Sequence, residues 1–523
     1  MKLKQLFFIS FIEGGVVMVT EIAGAKLLTP FFGASLYSWA ATLSITLLAL
    51  MIGYYYGGYV TTKPKFQSPQ KIVWVFITSG IAVLLMPSIG HFIMQKTISF
   101  SFFTGLILSE FLFLFFPIFL MGMISPMIIF QITKKAEQSG RSAGNIYAIS
   151  TCGGILFSLI FGFMIIPNYG ITMPVRILGV AVAAIGLIIL AKEKLISNKN
   201  SITMSVGLLI GFFLFSQDKI KEQYEKLNQV LLEHSEGLLG ELKVVDEVIT
   251  TPGGGEAKIR KLKTNNIQQN YVFVDLPTQS LMYYVNFTNQ LLNFVPKKES
   301  ALLIGLGAGS LYSVLTKHNF NVESVEIDQR IYDFGVKYFG MPAHKDHHIT
   351  DGSYFINVAK KKYDVIILDV IIGESVPAQL ITLESFTRLK ELLNDNGTLI
   401  LEHGGVSSFS DNSFIPSIVK TLNAAGFQVS IFNPLMSDNH GDVLFMATKD
   451  KFETANLSIS DDVLIKGGPL ANYVLPISTF REAGSNVLKD DKNNIDILLK
   501  NHYQQVRKTI RKELAKQAGG RRS

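Results

Sequence analysis

The chain has 523 residues, enough for roughly two to four domains, and only 17% of them are charged. With a mean hydropathy of +0.32, this composition excludes an ordinary soluble enzyme, for which about 25% charged residues is typical. The single cysteine, Cys152, excludes an intrachain disulfide and a cysteine metal cluster. The net charge of +7 lies largely in short loops and the C-terminal tail, so we attribute it to membrane orientation and expect no nucleic-acid partner.

Residues 5–217 hold nearly all the long apolar runs, and a helix needs about 20 apolar residues to cross a bilayer. We predict seven candidate spans, at residues 6–28, 38–60, 72–93, 103–132, 143–166, 173–191 and 202–217. The first begins like a signal peptide but lacks a clear cleavage site, so we interpret it as a membrane helix. The fourth contains Pro117 and Pro126 and is predicted to be kinked or divided.

Positive charges indicate the side that each loop faces, because Lys and Arg accumulate in cytoplasmic loops. They occur in alternate connections, at Lys2 and Lys4, at Lys63, Lys65 and Lys71, at Lys134, Lys135 and Arg141, and at Lys192, Lys194 and Lys199. We therefore predict a multi-pass protein of the cell membrane with a cytoplasmic N-terminus. Within the spans, Glu21 and Glu110 are candidates for a polar pathway or an internal pair. Glu13 and Lys26 could simply reach the interface.

The rest of the chain has the composition of a soluble protein. We predict a transmembrane domain at 1–217, a connector and small β region at 218–298, an α/β domain at 299–450, and an extension with a basic tail at 451–523. The connector begins with a charged, helix-like segment at 218–235. Short strands follow at 241–290, separated by turns at Gly253–Gly255 and Asn265–Asn266.

A glycine-rich loop opens the α/β domain. An apolar strand, Ala301–Gly305, leads at once into a Gly-x-Gly-x-Gly loop formed by Gly305, Gly307 and Gly309, and the predicted helix Ser310–His318 follows. Glycines permit a tight turn and a close approach of the backbone to a ligand. The position between strand and helix favours nucleotide binding more strongly than the glycines alone.

Three acids follow the next predicted strands. Val322–Ile327 carries Glu326 at its end, about 20 residues beyond the glycine loop, where a carboxylate can accept bonds from ribose hydroxyls. Asp351–Gly352 follows the strand His348–Thr350, and Asp369 follows the apolar strand Tyr363–Leu368. Further strands are predicted at Leu399–Glu402, Val429–Phe432 and Val443–Ala447, and a helix at Thr382–Leu393.

The predicted fold class is a multi-spanning α-helical membrane domain followed by a Rossmann-like α/β domain with a small N-terminal β region, because strands and helices alternate from residue 299. His344, His347 and His348 form a local cluster without metal-ligand spacing on a helix, so we interpret it as a loop before a strand and expect no metal site.

Together these residues resemble the spermidine synthase (polyamine aminopropyltransferase) family, over roughly Glu241 to Lys449. The membrane half is similar to the multi-spanning region fused to such domains in some bacterial proteins, at Glu21–Gly33, Gly122–Pro126 and Ala143–Ile166. The resemblance implies the fold shared by spermidine synthases and S-adenosylmethionine methyltransferases. It implies no permanently bound cofactor, but an adenosyl co-substrate.

The resemblance also implies roles for individual residues. The donor contacts would be Gln269 (or Gln268), Gly305, Gly307, Gly309, Glu326 at the ribose with Ile327 beside it, and Asp351 with Gly352 at the adenine. Asp369 would orient or deprotonate the attacking amine, since an ammonium group must lose a proton before it attacks a carbon. Tyr283 or Tyr284 would line the amine site, and Glu374 lies near it.

Two departures from the family pattern affect the substrate. The family usually has an acid in the glycine loop and a second acid three residues after the one matching Asp369, whereas this chain has Ala308 and Ile372. Glu374 is near the second position but out of register. Cationic polyamines normally need such anchors, and the loop with Ala308 is more like that of methyltransferases.

Three functions therefore follow as hypotheses. The leading one is a membrane-bound transferase that moves an aminopropyl group from decarboxylated S-adenosylmethionine, or an alkyl group from S-adenosylmethionine itself, to an amine. The alternatives are a methyltransferase or other S-adenosylmethionine-consuming enzyme, and a transporter or sensor that binds adenosyl ligands without turnover. Expected partners are the lipid bilayer, the donor, an amine acceptor and a second copy of the chain as a homodimer. A cytosolic donor favours a cytoplasmic soluble domain, which requires an even number of crossings. Of the two ways to obtain it, a divided fourth span or a short seventh segment that does not cross, we favour the second, because dividing the fourth span would invert the later loops against the charge pattern.

Overall fold

A computed structural model describes the chain apart from residues 34, 194–206, 208–223, 226, 238, 252–253, 371–376, 407, 438–439, 463, 493, 500–506, 509 and 513–523. The chain forms two compact units. The first comprises Met1–Gln223 with Ser235–Glu241, and the second comprises Tyr224–His234 with Leu242–Ser523.

The first unit is helical. Its helices are α1 (Leu3–Phe32), α2 (Leu36–Thr61), α3 (Pro69–Thr97), α4 (Phe102–Phe113), α5 (Phe115–Ile132), α6 (Ser139–Ile160), α7 (Ile166–Tyr169) and α8 (Thr172–Lys192), with a π-helical turn, Phe161–Ile165, between α6 and α7. Among the described residues, six helical segments are long and apolar enough to cross a membrane. They match the first six predicted spans, and the seventh lies almost entirely outside the described residues.

The fourth span was predicted to be kinked or divided, and the structure shows it divided. Helix α4 ends at Phe113 and α5 begins at Phe115. Pro117 has no backbone N–H with which to bond the carbonyl of Phe113, and its ring disfavours a continuous helix there. Pro126 lies inside α5.

Glycines allow α1 and α6 to pack closely. A Cβ atom on Gly153 would lie 1.9 Å from the carbonyl oxygen of Phe11, and one on Gly14 would lie 2.0 Å from that of Ser150. Only residues without a side chain fit at such contacts, and this arrangement is typical of helices that associate in a bilayer. Helix α2 packs against α5, and α3 against α8.

Two glutamates are buried inside this helical unit. Glu110 accepts a hydrogen bond from the Thr42 hydroxyl. Glu13 accepts hydrogen bonds from Ser125 Oγ at 3.2 Å and Ser150 Oγ at 3.0 Å. The expectation that Glu13 reaches the interface is therefore wrong, because the serines of α5 and α6 supply internal donors that an apolar sequence pattern does not reveal.

A five-stranded sheet comes next in the chain and belongs to the second unit, apart from Ser235–Gly237 of β1 and Gly240–Glu241 of β2. Its strands, in the spatial order β1-β2-β3-β4-β5, are β1 (Gln229–Gly237), β2 (Gly240–Thr250), β3 (Glu256–Thr264), β4 (Ile267–Phe273) and β5 (Leu276–Ser280). The predicted turn at Asn265–Asn266 joins β3 to β4, with Asn265 at a φ of +57°. The prediction of a helix-like connector at 218–235 is wrong from Gln229 onward, where the chain forms β1. Pairing with β2 overrides the local charge pattern there.

A seven-stranded sheet forms the centre of this unit. Its strands are β6 (Ser300–Ile304), β7 (Asn321–Glu326), β8 (His347–Ile349), β9 (Tyr363–Leu368), β10 (Leu393–Val406), β11 (Gln428–Phe432) and β12 (Gly441–Thr448). The spatial order is β11-β12-β10-β9-β6-β7-β8, with β12 antiparallel to both of its neighbours and the other pairs parallel. Strand β9 is buried along its whole length, as a strand covered on both faces should be.

Helices lie between the strands of this sheet and complete the α/β pattern predicted from the sequence. They are α9 (Tyr283–Leu291), α10 (Ser310–Lys317), α11 (Gln329–Tyr338), α12 (Gly352–Val358), α13 (Leu383–Glu391), α14 (Phe414–Ala424) and, after the sheet, α15 (Ile495–Leu498). A two-stranded pair, β13 (Ser458–Ile459) and β14 (Gly468–Pro469), also follows it. The short 3₁₀ helices are Pro64–Phe66, Ala136–Gln138, Leu292–Phe294, Ala378–Leu380, Leu470–Tyr473 and Ile477–Thr479.

Candidate active site

Two neighbouring strands, β6 and β9, end in one row at the carboxyl edge of the central sheet, and β10 passes the same level before it ends at Val406. Leu368 of β9 pairs with Ile304 of β6 on one side and with Leu401 of β10 on the other. The next residue on each strand is therefore Asp369, Gly305 and Glu402 respectively. Ligands of open α/β sheets bind at this edge, so the row identifies the candidate site.

The glycine loop is held tightly against β9. Gly305 has a φ of +85°, and a Cβ atom on it would lie 1.8 Å from the carbonyl oxygen of Asp369. Gly307 and Gly309 also have positive φ, at +52° and +83°, and Gly309 caps the N-terminus of α10. A side chain at Gly305 would have to displace the backbone that carries Asp369.

We expect Gly305→Ala to destabilise the fold by about 3 kcal/mol or more, because it combines left-handed backbone strain with a steric clash. Gly484→Ala is the matched control, since Gly484 has a φ of +86° and nothing within 4 Å of its Cβ position. It should cost about 1–2 kcal/mol from strain alone. Thermal unfolding in detergent measures both, and equal shifts in Tm would show that the clash at Gly305 is absent.

Glu326 links the end of β7 to the glycine loop. Its Oε2 accepts a hydrogen bond from the Leu306 N–H at 3.0 Å, and its Oε1 accepts from the N–H groups of Ile327 at 2.8 Å and Asp328 at 3.0 Å. The carboxyl is buried, and burial raises its pKa to about 7 against the opposing effect of these bonds. Ile327 is exposed beside it. The ribose contact predicted for Glu326 stays a prediction.

The other predicted donor residues lie at strand and helix ends. Asp351 caps α12, its Oδ1 accepting from the Tyr354 N–H at 2.9 Å, and Gly352 lets α12 begin against Ile304. Gln269 is the extra residue of a bulge in β4, because Lys263 pairs with Gln268 and Leu262 with Asn270. Their predicted contacts with adenine and donor likewise stay predictions.

A buried asparagine that the sequence did not single out connects the small sheet to the loop. The Nδ2 of Asn270 donates to Ser310 Oγ at 2.5 Å, and Ser280 Oγ donates to Asn270 Oδ1 at 2.8 Å. Ser310 is the first residue of α10, directly after the glycine loop. Asn270 therefore positions that loop, a role that depends on the register of β4 and leaves no motif in the sequence.

Asp369 is the acid nearest to a tyrosine of the predicted amine site. The Tyr284 hydroxyl donates to Asp369 Oδ2 at 3.2 Å. Burial raises the pKa of Asp369 to about 6, although the bond from Tyr284 opposes that rise. The sequence did not decide between Tyr283 and Tyr284. In the structure Tyr284 is buried and lies at Asp369, whereas Tyr283 is half-buried. Glu374 lies outside the described residues.

Two further acids converge near Asp369. A Cβ atom built on Gly404 would lie 2.7 Å from Glu402 Oε1 and 3.5 Å from Asp442 Oδ1. Burial, together with the negative charges of Asp442 and Asp369, raises the pKa of Glu402 well above its ordinary value. The sequence prediction missed both acids, because Asp442 returns to the site only through the antiparallel pairing and bulge between β10 and β12.

Ala308 and the histidine cluster contribute no charged group to this row. Ala308 is buried in the apolar core that also contains Leu306, Leu311 and Met341. His344 and His347 each hydrogen-bond with Ser324 Oγ at 2.8 Å, and burial lowers the pKa of His347 to about 4. Across the described part of the chain, no group of three or more His, Cys, Asp or Glu residues is arranged to hold a metal ion.

Comparisons with known proteins address the same region. Residues 282–456 match the family model of the spermine/spermidine synthase domain. The chain is 35% identical over 136 residues to a polyamine aminopropyltransferase of Vibrio vulnificus, covering 25% of this chain and 46% of that protein. It is 30% identical over 128 residues to an N-terminal histidine N-methyltransferase of Emericella nidulans, covering 24% of this chain and 23% of that protein. The chain thus spans less than half the length of these two relatives.

A third relative extends over both halves of the chain. It is the polyamine aminopropyltransferase 2 of Aquifex aeolicus, 21% identical over 491 residues, which cover 89% of this chain and 92% of that protein. The similarity therefore includes the helical unit as well as the matched domain.

Proposed function

We propose that this chain, whose residues 282–456 carry a spermine/spermidine synthase domain, is a membrane-bound aminopropyltransferase-like enzyme that uses an adenosyl donor and an amine acceptor. The observation that carries the proposal is the position of Asp369, whose carboxyl accepts a bond from Tyr284 at 3.2 Å and whose backbone carbonyl packs directly against Gly305 of the glycine loop. The six long apolar helices support a location in the bilayer.

The donor half of the site would be formed by the glycine loop, Glu326 and Asp351. Backbone bonds fix both oxygens of Glu326, but a carboxylate has about four lone-pair positions and can still accept from ribose hydroxyls. Asp351 uses one oxygen as a helix cap, so its other oxygen can accept from the adenine amino group.

Asp369 would act at the reacting centre. It takes a proton from the acceptor's ammonium group, and the freed nitrogen attacks the donor carbon beside the sulfonium. The C–N bond forms, the C–S bond breaks, and the electron pair passes to sulfur to give neutral methylthioadenosine. The thioether leaves readily, so the alignment of amine and donor along this strand edge supplies much of the acceleration.

The reaction should depend on pH through Asp369. Because burial raises its pKa to about 6, the carboxyl is protonated and inactive as a base below that value, and it is ionised above it. We expect kcat/KM for the amine to rise with pH through about 6. The pH profile of Asp369→Asn should lack this limb, whereas a limb that stays unchanged in the variant would assign it to another group.

Methyl transfer is the second candidate. It is favoured by the 30% identity with an N-terminal histidine N-methyltransferase and by Ala308, which leaves the glycine loop without an acid. In that case intact S-adenosylmethionine would bind, and its methyl group would leave instead of a longer chain.

Product analysis distinguishes these reactions. The protein purified in detergent is incubated with an amine and with either decarboxylated S-adenosylmethionine or S-adenosylmethionine, and the nucleoside products are identified by mass spectrometry. Methylthioadenosine supports aminopropyl transfer, and S-adenosylhomocysteine supports methyl transfer. Nucleoside binding without any product would indicate the transporter or sensor alternative.

A further inference from the structure

We propose that the helical unit carries protons across the bilayer, and that Glu110 and Glu13 bind and release them on the way. The inference rests on the membrane location proposed above, but not on any reaction in the second unit. These are the two buried acids among the described residues of the helical unit. Buried carboxylates inside membrane helices are typical of proton relays.

Glu110 lacks partners for its charge. Its side chain is fully buried on α4. Its Oε1 accepts from the Thr42 hydroxyl, which also lies 3.0 Å from the carbonyl oxygen of Ser38 and has one hydrogen for both. Its Oε2 has no hydrogen-bond partner, and no described Lys, Arg or His side chain forms an ion pair with it. An unpaired carboxylate in a bilayer is strongly unfavourable, so Glu110 needs a positively charged occupant.

A proton suits this position better than a metal ion. Hard metal cations such as Ca²⁺ and Mg²⁺ take about six or more oxygen ligands, whereas the described side chains offer the Glu110 carboxyl one hydroxyl. A proton needs a single carboxylate oxygen. When protonated at Oε1, Glu110 donates to Thr42, and the Thr42 hydrogen is then free to bond the carbonyl of Ser38. Each hydrogen in this group then has its own acceptor.

Buried hydroxyl groups lie on the same two helices that carry Thr42 and Glu13. Thr46 is one turn beyond Thr42 on the same face of α2, and Thr20 is seven residues beyond Glu13 on the same face of α1. The hydroxyls of Thr46 and Thr20 are buried and have no hydrogen-bond partner among the described residues. A hydroxyl can both donate and accept a hydrogen bond, so each can pass a proton onward.

The two acids lie in opposite halves of the helical unit. Helices α1 and α2 are joined by residues 33–35, so they run in opposite directions. A rise of 1.5 Å per residue makes α1 about 45 Å long, and it places Glu13 about 15 Å from its start and Thr42 about 9 Å from the start of α2. The levels of Glu13 and Glu110 therefore differ by about 20 Å along the helices, and Thr20 and Thr46 fall between them.

Glu13 has the same capacity at the other end of this series. Its Oε2 accepts from Ser125 and Ser150, and its Oε1 has no hydrogen-bond partner among the described residues. Steps of about 5–10 Å separate the levels of the four side chains, and a hydroxyl with one or two bridging waters can cover each step. A proton that enters at one acid and leaves at the other returns both carboxyls to their starting state.

The other titratable side chains on the packed helices are more accessible. Glu21 and Lys26 of α1 are half-buried, and Tyr54 of α2 and His91 of α3 are exposed. Within the described part of the chain, none of them forms a hydrogen bond or an ion pair with either buried acid. The protonation of each buried acid is therefore governed mainly by its own surroundings.

The test measures proton flux into liposomes. The full-length protein is reconstituted into liposomes that contain a pH-sensitive dye and high potassium, and valinomycin then makes the interior negative. The interior should acidify faster than in liposomes without protein. Glu110→Gln and Glu13→Gln should each lower this rate by about tenfold or more, because an amide cannot take up and release the proton.

Two further variants separate proton transfer from a structural role. Glu137→Gln is the matched control, because Glu137 is an exposed acid in the short 3₁₀ helix Ala136–Gln138, and it should leave the flux unchanged. Glu110→Asp keeps a carboxyl and should retain part of the flux. A merely structural role would be met by Gln, whose amide oxygen can still accept from Thr42. Unchanged flux in both Glu→Gln variants would overturn the inference, and so would the absence of flux in the unmodified protein.

Two measurements on the same liposomes complete the test. Replacing external Na⁺ with choline should leave the acidification unchanged, and a requirement for Na⁺ would show that a metal cation is carried instead. Flotation in a density gradient shows whether the protein stays with the lipid. Protein that floats but carries no protons overturns this inference alone, whereas protein that does not float overturns the proposed membrane location as well.

Discussion

Asp369→Asn should lower the rate of aminopropyl transfer by about 10²- to 10⁴-fold while the affinity for methylthioadenosine stays within a factor of about two. An amide cannot accept the proton of the attacking ammonium group, and general bases typically contribute accelerations of this size. The glycine loop and Glu326, which are proposed to contact the nucleoside, are unchanged. Single-turnover kinetics and calorimetric titration with methylthioadenosine measure the two quantities separately.

Tyr284→Phe provides the graded comparison. The hydrogen bond from the Tyr284 hydroxyl lowers the pKa of Asp369. Removing this hydroxyl should therefore shift the acid limb of the pH profile to higher pH and leave transfer detectable. Transfer by Asp369→Asn at more than about a tenth of the original rate would contradict a role for Asp369 as the base.

Glu326→Ala should weaken methylthioadenosine binding by about 100-fold or more. The change removes any bonds to the ribose hydroxyls and also leaves the N–H groups of Leu306, Ile327 and Asp328 without their acceptor. Each charge-assisted bond of this kind contributes about 1.5–3 kcal/mol, and about 2.7 kcal/mol corresponds to 100-fold in affinity. Calorimetric titration of the detergent-purified protein measures the change.

Glu323→Gln on the same strand is the control. Glu323 bonds to Lys361, Tyr363 and His348, and none of these lies at the glycine loop. Its substitution should not change nucleoside affinity. Equal losses in the two variants would mean that general weakening of β7, and not the loss of the Glu326 carboxylate, explains the effect.

The sequence predicted the parts of the site that follow from chain order. A strand, a glycine turn and a helix fix Gly305, Gly307 and Gly309 in space, and in a parallel sheet each following strand ends at the same edge. Glu326 and Asp369 are therefore placed by strand ends alone. The first six apolar spans could also be predicted, because their length and composition are local properties of the sequence.

Contacts that depend on register or on packing could not be predicted in this way. Asp442 approaches Glu402 only because β12 returns antiparallel to β10 with a bulge, and Asn270 reaches Ser310 only in the observed register of β4. Glu13 is internal because serines on two other helices face it. Each of these depends on which residues meet across elements far apart in the chain.

The most direct test of the central claim uses decarboxylated S-adenosylmethionine with deuterium in its aminopropyl chain, and measures which product carries the deuterium. After incubation with the detergent-purified protein and 1,4-diaminobutane, mass spectrometry should find the deuterium in a longer amine and an equal amount of unlabelled methylthioadenosine, with both products formed at least about 100-fold more slowly by Asp369→Asn. Deuterium that stays entirely with the nucleoside, while Asp369 and the donor are both intact, would contradict aminopropyl transfer by this protein.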